Sequence, residues 1–148
     1  MQIVSLFPLL RVEDLSVSSA FYELLGFMPV HLDQDYLNGV TTFDLILITQ
    51  HILGTNPLAS PYQMIAADVN NSRSITTLDV IEARRRILGM GEGFTNNTSW
   101  RFVAKDYSFP DPDNPWLTEF PELRSFNDLH GEAKANFFGV KIADVNGS

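Results

Sequence analysis

Apolar residues recur along the chain at two different spacings. Leu45, Ile48 and Ile52 fall three and four residues apart, and Val80, Ala83 and Ile87 repeat that spacing 35 residues later. This is the period of a helix with one buried face. Each run is too short to be stable alone in water, so the pattern predicts two helices packed antiparallel along those stripes. Between them lie Pro57 and Pro61, then room for a turn of helix around Tyr62 to Ile65. Beyond Gly93 the rhythm shortens. Ser99–Val103 and Asn136–Ile142 read as strands, and Phe109–Trp116 as an irregular loop stiffened by Pro110, Pro112 and Pro115. Ahead of all this, Leu9–Phe27 reads as a strand and a short helix ending at Gly26. The expected fold class is therefore α+β. It comprises a strand-helix segment over 1–30, a duplicated loop-helix module over 31–93 and a small β-rich extension over 94–148.

The polar positions carry the chemistry. Asp33, Asp35, Val40, Thr41-Thr42, Asp44 and Ile52-Leu53-Gly54 align without a gap on Asp68, Asn70, Ile75, Thr76-Thr77, Asp79 and Ile87-Leu88-Gly89. A repeat at a fixed period points to a duplicated structural unit. Calcium takes six to eight oxygen ligands, and a twelve-residue loop supplies them from positions one, three, five, seven (a carbonyl), nine (often through water) and twelve. The second half fits: Asp68, Asn70, Ser72, the Ser74 carbonyl, Thr76 through water, and Asp79 with both oxygens. In the first half Asp33, Asp35, the Gly39 carbonyl, Thr41 and Asp44 fit, but Leu37 holds position five and has no side-chain oxygen. Either the Leu37 carbonyl or the Asn38 amide substitutes, or that site is weaker. Position six, where a sharp turn asks for glycine, is Asn38 in one half and Arg73 in the other. Val40 and Ile75 are expected to pair through their backbones and couple the loops. Taken singly, Asp44 and Asp79 also suit helix capping; the spacing repeated in register is what favours metal.

On these residues the chain resembles the dockerin family, whose members are calcium-binding modules of two loop-helix repeats on secreted bacterial proteins. The wording Leu37-Asn-Gly-Val-Thr-Thr-Phe-Asp44 and Ala66-Ala-Asp-Val-Asn-Asn-Ser72 is similar to dockerin-like modules in large surface proteins of Bacteroidetes-type bacteria. So are Asn97–Phe102, Asn114-Pro115-Trp116 and Phe138–Gly147, and the likeness covers roughly residues 31 to 148. It implies two bound Ca2+ ions, an extracellular or cell-surface location and a cohesin-like protein partner. The partner-facing positions carried over are Thr42, Phe43, Thr49 and Gln50 in one half, and Thr77, Leu78, Arg84 and Arg85 in the other. The halves differ there, which argues against symmetric two-way binding. A self-associating, calcium-stabilised subunit of an extracellular filament or matrix is the alternative. The opening strand and helix resemble the start of glyoxalase-type (vicinal-oxygen-chelate) domains, which would make the segment part of a metalloenzyme. That fold needs further strands carrying metal ligands, and calcium-type loops follow instead.

Composition narrows the picture further. At 148 residues with 45% apolar content, the chain suits one domain, or a domain with an appendage, and is not a disordered tail. A net charge of -8 argues against nucleic acid. The first residues lack the basic start and long apolar core of a signal peptide and cannot span a membrane; if the protein is secreted, its leader is expected to have been removed or to lie upstream. Without cysteine there are no disulfides to consider. His31, His51 and His130 form no zinc spacing, and neither a phosphate-binding glycine loop nor a nucleophile elbow is present. The chain is expected to be non-enzymatic. Near its end, Asp144-Val-Asn146-Gly147 echoes the start of a calcium loop; with too few residues left to close one, it reads as a strand end or linker.

Overall fold

Thr41 and Thr76 start the two long helices in the same way. Each is extended, accepts a hydrogen bond from the backbone two residues on, and forms a capping box with the aspartate at the third helical position. The computed structural model describes residues 37–123 and 136–148. The strand and helix expected over Leu9–Phe27, and the glyoxalase-type resemblance they carry, lie outside the described residues, as do Asp33 and Asp35.

From these caps run α1 (Thr42–Ile52) and α3 (Thr77–Ile87), with the shorter α2 (Pro61–Ala67) between them. Helix α2 has Ser60 as its N-cap and Pro61 at its first position, where a missing N–H costs nothing. Both long helices stop at Ile-Leu-Gly. Gly54 and Gly89 adopt φ of 68° and 71°. Paired backbone bonds (Gly54 N to His51 O and Thr55 N to Gln50 O; Gly89 N to Arg86 O and Met90 N to Arg85 O) satisfy the last carbonyls. His51 is structural: its Nδ1 accepts from Leu58 N at 3.1 Å and fixes the connection to α2.

The stripes read from the sequence are the faces that α1 and α3 pack on. Ile48 and Ala83 are fully buried, and Leu45, Ile52, Val80 and Ile87 lie partly buried against the core. The basic run on α3 is not a uniformly solvated face. Arg84 and Arg85 are exposed, but Arg86 turns inward and donates from Nη1 to the Gly91 carbonyl.

Strands β1 (Trp100–Ala104) and β2 (Phe137–Lys141) pair antiparallel, with Trp100 opposite Lys141 and Phe102 opposite Gly139. The fold is thus a small α+β arrangement of three helices and a two-stranded antiparallel sheet among the described residues. One buried cluster joins helices and extension: Ile48, Ile65, Val69 and Ala83 share it with Val103, Phe120, Ile142 and Val145. An aromatic chain fastens the proline-rich loop onto α2. Tyr62 meets Phe109 and Phe138 edge-on at 5.6 and 5.2 Å, and Phe109 leans on Tyr107 and Phe120. No helix among the described residues is long and apolar enough to cross a membrane.

Candidate functional site

In the loop between α2 and α3, hydrogen bonds link the six oxygen-bearing positions expected of its sequence into one network. Its form follows from Asp68, which caps the end of α2 and is 1% exposed. Asp68 Oδ1 accepts from Ser72 N at 2.8 Å, and Oδ2 accepts from Arg73 N at 2.8 Å. Those bonds curl the chain around the carboxylate. Asn71 and Arg73 take positive φ, 56° and 63°, to complete the curl. Arg73 thus adopts the left-handed conformation that the sixth position asks for, although it is not glycine.

Asp79 closes the loop from its far end. Its Oδ2 accepts from Thr76 N at 2.8 Å and Thr76 Oγ1 at 3.2 Å, which is the capping function. Its Oδ1 reaches beyond the helix and accepts from Asn70 N at 3.1 Å. Ser72 Oγ donates to the Ser74 carbonyl at 3.1 Å, and Asn97 Nδ2 holds the Asp68 carbonyl at 3.0 Å from outside. Burial pushes the Asp68 carboxyl above the usual carboxylate range. The nearby Asp79 charge adds to this, against the lowering effect of the Ser72 and Arg73 N–H groups. Two carboxylates, an amide, two hydroxyls and a carbonyl form an all-oxygen donor set, the kind a hard divalent cation takes. No three His, Cys, Asp or Glu side chains converge among the described residues. The loop's remaining donors are neutral oxygens.

Residues 37–44 behave differently. Asp44 is fully buried, and its Oδ2 accepts from Thr41 N and Thr41 Oγ1, both at 2.8 Å. The Leu37 carbonyl closes a tight turn by accepting from Val40 N at 2.9 Å. That bond engages the Val40 N–H within its own turn, so it does not donate to Ile75 as the expected pairing asks. Gly39 has φ of 79°.

The tail, read from the sequence as a strand end or linker, folds onto this turn. Val145 N and Asn146 N donate to Asp44 Oδ1 at 2.9 and 3.2 Å, and Ser148 Oγ donates to the Gly39 carbonyl at 3.1 Å. Two bonds tie it to α2: Ala143 N to the Ala66 carbonyl at 2.8 Å, and Gln63 Nε2 to the Val145 carbonyl at 3.0 Å. The signal for this docking was already present in the near identity of Asp144–Ser148 with Asp68–Ser72.

Across α1 and α3 runs a shallow, mostly apolar groove lined by residues including Ile46, Thr49, Gln50, Arg84 and Leu88. Phe43, Ile46, Leu78, Ile81 and Leu88 are each more than half exposed on these helices or at their ends. Comparison of the chain with protein-family models, curated proteins and solved structures returned no match.

Proposed function

We propose that the chain is a calcium-stabilised, non-enzymatic module that attaches to another protein outside the cell. The observation that carries this reading is the loop from Asp68 to Asp79. Its six oxygen-bearing positions follow the spacing of a calcium loop, and the buried carboxylates at its ends are tied to its middle, Asp68 through Ser72 N and Asp79 through Asn70 N. Asp68 and Asp79 would hold the ion from opposite ends, with Asn70, Ser72, the Ser74 carbonyl and Thr76 between them. The cation would neutralise the Asp68 carboxylate, which burial and the nearby Asp79 charge otherwise disfavour. Because the unfolded chain has no such site, its binding free energy adds to folding free energy. A second ion is assigned to the loop that ends at Asp44.

The face for a partner is the apolar groove across α1 and α3. Thr42, Phe43, Thr49 and Gln50 on one helix, and Thr77, Leu78, Arg84 and Arg85 on the other, are the positions the dockerin resemblance assigns to a cohesin-like protein. Phe43 and Leu78 are 55% and 62% exposed, which suits an apolar contact. The same exposed residues also fit self-association into a filament or matrix.

Calorimetric titration of calcium into chelator-stripped protein, with helix content followed by circular dichroism, tests the metal reading. Binding accompanied by a gain of helix is expected; no binding at millimolar calcium refutes it. Light scattering against protein concentration separates the two roles. A monomer across the range supports attachment to a different protein, whereas growth in mass supports self-assembly.

A further inference from the structure

We propose that the first metal-binding loop is split: residues 144–148 supply its opening five positions, and residues 39–44 supply positions seven to twelve. The inference rests on the calcium reading above and changes which residues make the first site.

Three observations converge on it. The first is sequence. Ala67-Asp-Val-Asn-Asn-Ser72 and Ala143-Asp-Val-Asn-Gly-Ser148 agree at every position but one. Asp144, Asn146 and Ser148 therefore stand where Asp68, Asn70 and Ser72 stand, at positions one, three and five.

The second is a shared set of hydrogen bonds. In the intact loop Asn70 N donates to Asp79 Oδ1 at 3.1 Å; in the split one Asn146 N donates to Asp44 Oδ1 at 3.2 Å. Ser72 Oγ donates to the carbonyl of position seven, Ser74, at 3.1 Å. Ser148 Oγ donates to the carbonyl of position seven, Gly39, also at 3.1 Å. Ser72 N donates to Asp68 Oδ1, and Ser148 N to Asp144 Oδ1. Thr76 N and Thr41 N each donate to the closing aspartate at 2.8 Å. A peptide docked for packing alone has no reason to reproduce this set.

The third is the cradle at Gly39. A Cβ there would lie 2.5 Å from Asp144 Oδ2 and 2.8 Å from the Ser148 carbonyl, so only glycine admits the incoming carboxylate. The glycine that comes one position late for a contiguous loop is the one the split loop requires. The missing oxygen at Leu37 is explained as well. Leu37 does not occupy position five, because Ser148 does, and the Leu37 carbonyl serves its own turn.

The site then offers Asp144, Asn146, Ser148, the Gly39 carbonyl, Thr41 and Asp44. That is two carboxylates and four neutral oxygens, the donor count of the intact loop, and it suits the same divalent cation.

Calcium calorimetry on the full chain tests the split loop with four proteins: the parent, Asp144→Asn, Asn146→Ala and the double variant Asp33→Asn/Asp35→Asn. The parent is expected to bind two ions. Asp144→Asn is expected to weaken one of them by at least tenfold and leave the other unchanged. Asn146→Ala, altered at an exposed side chain, is expected to weaken the same site by a smaller factor and keeps the test decisive if Asp144→Asn fails to fold. The double variant is expected to bind both ions as the parent does. Two unchanged sites in both tail variants overturn the split loop while leaving the calcium reading intact. Loss of a site in the double variant overturns it in favour of a contiguous loop. No calcium bound by the parent refutes the reading beneath it.

Discussion

Replacing Asp79 by asparagine separates the observed task of that carboxylate, capping, from the proposed one, ion binding. Without metal, Asp79 accepts from Asn70 N, Thr76 N and Thr76 Oγ1 while fully buried. The asparagine amide keeps one oxygen acceptor and turns an NH2 toward a backbone donor, leaving one buried N–H unpaired at a cost of about 1–3 kcal/mol. Removing a negative charge that disfavours ionised Asp68 offsets part of this. The metal-free loss should therefore be about 1–2 kcal/mol. With free calcium at roughly a hundred times the dissociation constant, each site adds about 2.7 kcal/mol to the parent. A variant lacking the bidentate carboxylate forgoes most of that. Urea denaturation followed by helix dichroism, in chelator and in calcium, should show the deficit widening by about 2–3 kcal/mol when calcium is present. Equal deficits in both buffers would mean that Asp79 only caps α3, and the reasoning from its Oδ1 would fall.

Ile48→Ala removes a fully buried side chain between the helices and should destabilise by about 2–5 kcal/mol, read as a lower urea midpoint with unchanged slope. Ala143 holds φ of 71°, where a non-glycine residue bears about 1–2 kcal/mol of strain. Ala143→Gly relieves that strain but gives up about 0.5–1 kcal/mol to the extra unfolded-state entropy of glycine and about 0.8 kcal/mol for the fully buried methyl, so the melting temperature should stay within a few degrees of the parent's. Asn97→Ala deletes the 3.0 Å bond to the Asp68 carbonyl and should cost about 1 kcal/mol without removing any proposed ligand. Calcium stoichiometry unchanged from the parent would confirm that Asn97 acts from outside the loop.

What the chain discloses by inspection is its local physics. The Leu45-Ile48-Ile52 and Val80-Ala83-Ile87 stripes, the Thr caps with aspartate three residues on, and the Ile-Leu-Gly stops are each written within a few residues, and each is found in the fold. The six donors of the second loop are likewise contiguous. That Arg86 turns inward is not written in the run Arg84-Arg85-Arg86, because only the path of the chain through Gly91 supplies an acceptor for it. The docking of the tail escaped for a related reason. Asp144-Val-Asn-Gly-Ser148 carries a readable motif, but a loop assumed to be continuous has no place for a fragment lacking its second half. Periodicity cannot report a partner about a hundred residues away.

That separation sets an order of events. The bond from Asn70 to Asp79 closes 9 residues, whereas the bond from Val145 to Asp44 closes 101. By the logarithmic dependence of closure entropy on loop length, the longer contact is disfavoured by about 2 kcal/mol before anything else is formed. The Asp68–Asp79 loop can therefore organise early from neighbouring chain. The Asp44 contact is expected to follow the pairing of β1 with β2, which carries the tail back to α2. Its formation is expected to be a late step in folding, following the assembly of helices and sheet.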